Sequence, residues 1–163
     1  FYNEIKNLNL DQTTKDSLVI NAKYSPTDFL QLFLGAEFID ANITGGTHSG
    51  KNTPGVANKT FSFGTTWTPS SNISHSIYSK WTGKQYLISD FGNESPMLDS
   101  YKTLDYNYSH NFKEWSLDFK VENLMNEKYN SSGATSWSGT TAINGYYPAP
   151  ERNFMLTAKY TFE

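Results

Sequence analysis

The chain has no cysteine, so neither a disulfide framework nor a thiolate metal site can hold it together. Arginine is almost missing as well: Arg152 stands alone beside twelve lysines, and the net charge is −3. A nucleic-acid-binding face is normally basic and rich in arginine, so no nucleic-acid partner is expected. Helix builders are scarce, with 8 alanines and 12 leucines among 163 residues. Apolar runs break within a few residues, which excludes a membrane-spanning helix. The first residues, from Phe1-Tyr2, do not form a charged-then-apolar secretion leader, and they lack an initiator methionine. Such a start is expected of a mature protein or a piece of a longer one.

Two kinds of residue are plentiful instead. Phe, Tyr and Trp make up 16% of the chain, while hydrophobic residues as a whole reach only 37%, below the usual share of about 45–50%. Serine, threonine and asparagine supply 51 residues. Aromatic residues suit pleated surfaces, and Ser and Asn suit turns. The aromatic content argues against disorder, and the mixture predicts an all-β protein with many turns.

Period-two alternation supports this. Trp115, Leu117, Phe119 and Val121 alternate with Ser116, Asp118, Lys120 and Glu122, and Leu104, Tyr106 and Tyr108 alternate with Asp105, Asn107 and Ser109. Phe154, Leu156, Ala158, Tyr160 and Phe162 form one face of a last strand. Weaker alternation runs through 17–24, 30–38, 61–67 and 73–81. Seven strands are predicted, with an eighth near residues 1–9.

The connections alternate in length. Those at 25–28, 68–72 and 110–114 are short, whereas those at 44–58, 84–101 and 124–150 are long and rich in Gly, Ser, Asn and Thr. Keeping all long loops at one end is a habit of transmembrane β-barrels, which have short periplasmic turns and long extracellular loops. Strands of about 9–11 residues suit a tilted bilayer crossing. The aromatics near strand ends, such as Trp67, Trp81, Trp115, Tyr24, Tyr160 and Phe162, fit the girdles at the water–lipid boundaries. They equally fit the core of a soluble, lipocalin-like carrier. A complete eight-stranded outer-membrane barrel, acting as anchor or adhesin, is a third arrangement compatible with the length.

Four segments carry a family resemblance. Val121-Glu-Asn-Leu-Met-Asn-Glu-Lys-Tyr129 resembles the V-x-N-L-F-[ND]-x-x-Y segment of TonB-dependent outer-membrane receptors, with Met125 in place of Phe. Tyr147-Pro148-Ala149-Pro150-Glu151-Arg152-Asn153-Phe154 resembles the P-x-P-G-R-x-[FV] segment leading into their last strand, with Glu151 in place of Gly. The run to Phe162 is similar to their aromatic-ended terminal strand, although Glu163 follows it here. Thr53-Pro54-Gly55-Val56-Ala57-Asn58-Lys59-Thr60-Phe61 is looser, similar to P-G-V-P-K-H-x-F with Ala57 and Asn58 at two of its positions. The four lie in the family's order.

The resemblance implies that residues 1–163 are an antiparallel transmembrane β-barrel segment, the C-terminal seven to eight strands of a barrel of about 22. The family's plug domain and TonB box are then absent from this stretch. It implies uptake of a scarce nutrient, with a ferric siderophore or other iron chelate as cargo and haem or cobalamin as alternatives, in the outer membrane of a Gram-negative bacterium. The implied partners are outer-membrane lipid, the chelate, and TonB through the absent N-terminal region. An isolated segment with two bare edges is expected to self-associate. Asn123, Leu124, Tyr129, Pro148, Pro150, Arg152 and Phe162 are the motif positions, and a structural role is expected of them.

No catalytic constellation, cofactor or metal site is expected. His48, His75 and His110 are far apart in sequence and lack metal-ligand spacing; a solvated ring is expected at each. Asp118 and Glu122 share a strand face but lie about 13 Å apart, beyond the glycosidase separations of about 5–9.5 Å. The loop residues able to meet an anionic, aryl-bearing chelate are His48, Lys51, Lys84, Tyr86, Trp137, Tyr146 and Tyr147, through charge and cation–π contacts.

Overall fold

A computed structural model describes residues 12–162. The alternating segments become β1 (Thr13–Thr27), β2 (Leu30–Ile43), β3 (Lys59–Ser70), β4 (Ile73–Thr82), β5 (Tyr101–Phe112) and β6 (Trp115–Glu122). The long third connection holds β7 (Asn130–Ser138) and β8 (Thr141–Pro148), and β9 (Asn153–Tyr160) follows. All seven predicted strands are therefore present, in one antiparallel sheet of order β1-β2-β3-β4-β5-β6-β9. The eighth strand expected near residues 1–9 lies outside the described residues.

One expectation needs correction. Residues 124–150 are not merely a loop: β7 and β8 pair as a hairpin of their own between β6 and β9. Its residues are mostly Ser, Thr, Gly and Asn, so apolar alternation is too faint to announce strands. Cross-strand hydrogen bonding makes them.

Neighbouring strands are joined by two-residue turns at Asp28-Phe29, Ser71-Asn72 and Lys113-Glu114. Pro26 and Pro69 sit where the register slips, between Tyr24 and Thr27 and between Trp67 and Ser70. A proline cannot donate to the ladder, so a bulge near a strand end is where a sheet tolerates it. The β5–β6 pair carries no proline and keeps its register throughout.

Register assigns the two faces. Leu18, Phe38 and Lys59 lie in one row, as do Ala22, Leu34, Phe63 and Ser79, and Trp67, His75, Tyr108, Phe119 and Leu156. This face is an apolar and aromatic band across all seven strands. The opposite face brings together Lys23, Phe33, Gly64, Tyr78 and Asp105 in one row, and Asn107, Lys120 and Met155 in another. Leu18, Leu34 and Leu156 are 58%, 59% and 67% exposed. A single sheet has no second layer to cover such residues, and immersion in lipid removes the cost of leaving them bare.

The true core is accordingly small and sits under the loops. Ile43, Leu87, Leu98 and Val121 are its buried apolar members among the described residues. Leu87 packs against β7: a methyl added at Gly133 would stand 2.8 Å from Leu87 Cδ2 and 2.9 Å from the Gly145 carbonyl oxygen. Gly133→Ala is expected to cost about 1–3 kcal/mol, the scale of overpacking, and to speed protease cleavage between β7 and β8; limited proteolysis checks this.

The sheet ends at β1 and β9, whose residues are all exposed. Among the described residues nothing pairs with the outer side of either strand, and edges of this length template pairing with another chain. Isolated in detergent, the chain is expected to form dimers or larger species by analytical ultracentrifugation; a monodisperse monomer would contradict this.

Candidate ligand-binding surface

Each long connection is fastened to its strands by backbone hydrogen bonds. The β2–β3 loop folds back on β2 through Ile43 N–H to the Lys51 carbonyl (2.9 Å) and Thr53 N–H to the Ala41 carbonyl (2.8 Å). It meets the β4–β5 loop where Gly55 N–H donates to the Tyr86 carbonyl (2.9 Å) and Asn52 N–H to Asn93 Oδ1 (2.7 Å). The β4–β5 loop joins the hairpin in turn, with Ile88 N–H donating to the Gly133 carbonyl and Thr135 N–H to the Ile88 carbonyl, both 2.8 Å. Three loops thus form one connected body at one end of the sheet.

Asp90 organises the middle loop. It is fully buried, and its two carboxylate oxygens accept the Glu94 N–H (2.9 Å) and the Ser95 N–H (3.0 Å). Beside it, Ser95 Oγ lies 3.2 Å from Thr135 Oγ1, which donates to Asn144 Oδ1 at 3.0 Å. Sequence reasoning overlooked Asp90 because a lone Asp in a polar loop has no period or motif to single it out.

The seven loop candidates do not form one cluster. His48 lies 6.1 Å from the Phe91 ring, and Lys51 is exposed nearby in the β2–β3 loop. Trp137 and Tyr146 share one face of the hairpin, while Tyr147 is on the other; they are about half exposed. Lys84 is paired with Asp99 at 3.0 Å and, with Tyr86, lines a cleft of about 570 Å³. The strand residues Asp16, Leu18, Phe38, Asp40 and Lys59 of that cleft share the apolar face. Asp16 and Asp40 are direct cross-strand partners. The cleft therefore lies at the loop-side margin of the apolar band, and its acidic pair opposes an anionic ligand.

The family-like segments do come together. Asn123 is 5% exposed with a φ of 52°, and its backbone N–H donates to Asp105 Oδ1 at 2.8 Å. Its side chain accepts from Glu127 N–H (2.9 Å) and donates to the carbonyls of Glu127 (2.9 Å) and Pro150 (3.4 Å). Arg152 donates its backbone N–H to Asn126 Oδ1 (2.9 Å) and Nη1 to the Leu124 carbonyl (3.3 Å), with its guanidinium 5.9 Å from the Phe154 ring centre. Tyr129 stacks on Tyr101 at 3.9 Å and offers its carbonyl to Ala149 N–H (2.9 Å). Pro148 stands opposite Asn130, and Glu151 pairs with Lys128 at 3.5 Å. The two segments form a clasp across the base of the β7–β8 hairpin. Burial, then Tyr101 and then Asp105, holds the Tyr129 phenol above its ordinary pKa, which favours its neutral form. Phe162 is 85% exposed and meets Tyr160 edge-on.

Where the clasp meets the polar face, Lys120 pairs with Glu122, which also accepts from Asn153 Nδ2 at 2.7 Å. His75 departs from expectation. It lies half-buried on the apolar face, stacked 5.2 Å from Trp67 and tilted against Tyr108 at 5.1 Å, where the sequence predicts a solvated ring. His110 is on the same face, beside Tyr108 and Phe112. Position parity in β4 held this signal, and the weak pattern of 73–81 obscured it.

An antiparallel sheet with a continuous apolar face, two-residue turns at one end and a body of long loops at the other is a transmembrane β-barrel segment. Its fold is that of the barrels of TonB-dependent receptors. Among solved structures, it is similar to the ferric yersiniabactin uptake receptor FyuA from Yersinia pestis, with a TM-score of 0.76 and 15% identity over 93% of this chain and 24% of that one. The ferric enterobactin receptor PfeA from Pseudomonas aeruginosa matches with a TM-score of 0.74 and 19% identity over 94% of this chain and 23% of the receptor. The copper transporter OprC matches with a TM-score of 0.72 and 14% identity over 92% of this chain and 24% of the transporter. The chain spans about a quarter of the length of each. No protein-family model and no curated protein matches the sequence.

Proposed function

We propose that the chain is the C-terminal barrel portion of an outer-membrane, TonB-dependent uptake receptor whose cargo is a ferric siderophore or other iron chelate. The observation that carries this reading is the superposition of over 90% of the chain on receptors for ferric yersiniabactin and ferric enterobactin. The family-like motifs, clasped at the hairpin base, support it from the sequence side. These neighbours are uptake proteins, in keeping with a non-enzymatic role. OprC, described as a copper transporter, makes copper the cargo to set against iron.

In this reading, cargo meets the loop body above the polar face. His48 and Lys51, and Trp137, Tyr146 and Tyr147 on the hairpin, are the residues of this chain that offer cationic and aromatic contacts. Lys84 and Tyr86, at the outer margin of the band, are less favourably placed. Energy coupling to TonB belongs to a region outside this chain.

Deleting the gene is expected to abolish growth on one or more ferric chelates as sole iron source, with growth restored by the gene in trans. Unchanged growth across a panel of ferric siderophores and haem, together with a defect under copper limitation, would replace iron with copper. Unchanged growth in all of these conditions would overturn the uptake reading.

A further inference from the structure

The turn-side end of the apolar face carries two histidines in a row of rings. Trp67 stacks on His75, His75 meets Tyr106 and Tyr108, and His110 meets Tyr108 and Phe112. Each imidazole is held by a tyrosine: His75 Nδ1 lies 2.8 Å from Tyr106 Oη, and His110 Nδ1 lies 3.2 Å from Tyr108 Oη. When Nδ1 accepts the phenol proton, the ring's own hydrogen is on Nε2. Among the described residues, neither Nε2 has a hydrogen-bond partner.

Charge along this face is arranged by depth. The outward positions of β3 to β6 and β9 contain no Asp or Glu, from Lys59 and Lys102 at the loop end to His75 and His110 at the turn end. Lys102 and His110 are eight residues apart on β5, about 27 Å along the strand. At a barrel tilt of about 35–45° this becomes about 20 Å along the membrane normal, close to the apolar band height of about 25 Å. The histidines therefore reach the level of the headgroups bordering the turn side, with no carboxylate at the outward positions of their own or the neighbouring strands β3 to β6; the outward Asp16 and Asp40 lie at the loop end of β1 and β2.

We propose that His75 and His110, clamped by Tyr106 and Tyr108, form a binding site for the phosphate of a membrane glycerophospholipid, with Trp67 and Phe112 against its acyl–glycerol region. The occupant is a phospholipid because short turns face the periplasm in barrels of this type, where the adjoining leaflet is phospholipid. The inference rests on the outer-membrane reading above.

The test uses the protein as its gene encodes it, extracted from outer membranes and titrated in detergent with phosphatidylglycerol or with diacylglycerol, which lacks the phosphate. Bound lipid is read by native mass spectrometry, and folded protein is selected by heat-modifiable migration. Wild type is expected to retain phosphatidylglycerol over diacylglycerol. His75→Phe and His110→Phe should each weaken retention by about fivefold, the scale of one or two lost hydrogen bonds, and the corresponding Lys variants should restore it. Equal retention by the folded Phe variants, or no preference for the phosphate-bearing lipid in wild type, would overturn the site while leaving the receptor reading intact. Absence of the protein from the outer-membrane fraction would overturn both.

Discussion

Leu34→Arg is expected to prevent stable insertion of the barrel, whereas Asn107→Arg should be tolerated. Leu34 lies in the apolar row with Ala22 and Phe63 and is 59% exposed. Asn107, exposed on the opposite face, stands between Ser76 and Lys120. An arginine on the lipid face near the bilayer midplane costs about 2–4 kcal/mol, while one on the watery face costs little. The measurement is the fraction of heat-modifiable, membrane-integrated protein for each variant. Equal insertion of both would mean that the apolar face is not the lipid-facing one.

Asn123→Ala is expected to be the most damaging change in the clasp. It removes three side-chain hydrogen bonds, to Glu127 N–H and to the Glu127 and Pro150 carbonyls, each contributing about 1 kcal/mol. It also puts a methyl-bearing residue at a φ of 52°, a conformation Asn tolerates better than Ala and which costs about 1 kcal/mol more. A total loss of about 3–4 kcal/mol follows. Asn123→Gly relieves the backbone term alone and should fall between Ala and wild type. Thermal loss of the heat-modifiable form orders the three; if Gly is no better than Ala, the backbone conformation does not contribute.

Much of the fold was legible in residue order because a strand's side chains alternate with a period that cannot slip without exchanging its faces. Trp115 to Glu122 shows this most clearly, and the unequal connections gave the two ends different characters. The hairpin was not legible. From Asn130 to Pro148 the chain is held by backbone pairing and by small residues fitting under Leu87, neither of which leaves a periodic trace. Asp90 was hidden for a similar reason, since only folding buries it and supplies its two N–H donors.

The absence of cysteine, the scarcity of arginine and helix formers, and the wealth of aromatics determined an all-β chain without disulfides, with apolar material suited to a surface band. Those are properties of composition and period, which a sequence carries by itself. Which residues meet was decided only by the tertiary structure. Strand register put His75 against Trp67 and Tyr108, and loop closure brought Asn123 to Pro150 across 27 residues. Loop folding brought Lys84 and Tyr86 to the cleft at the margin of the apolar band, beside Asp16 and Asp40. Contacts between distant segments depend on pairing and closure, and no local property of the chain encodes them.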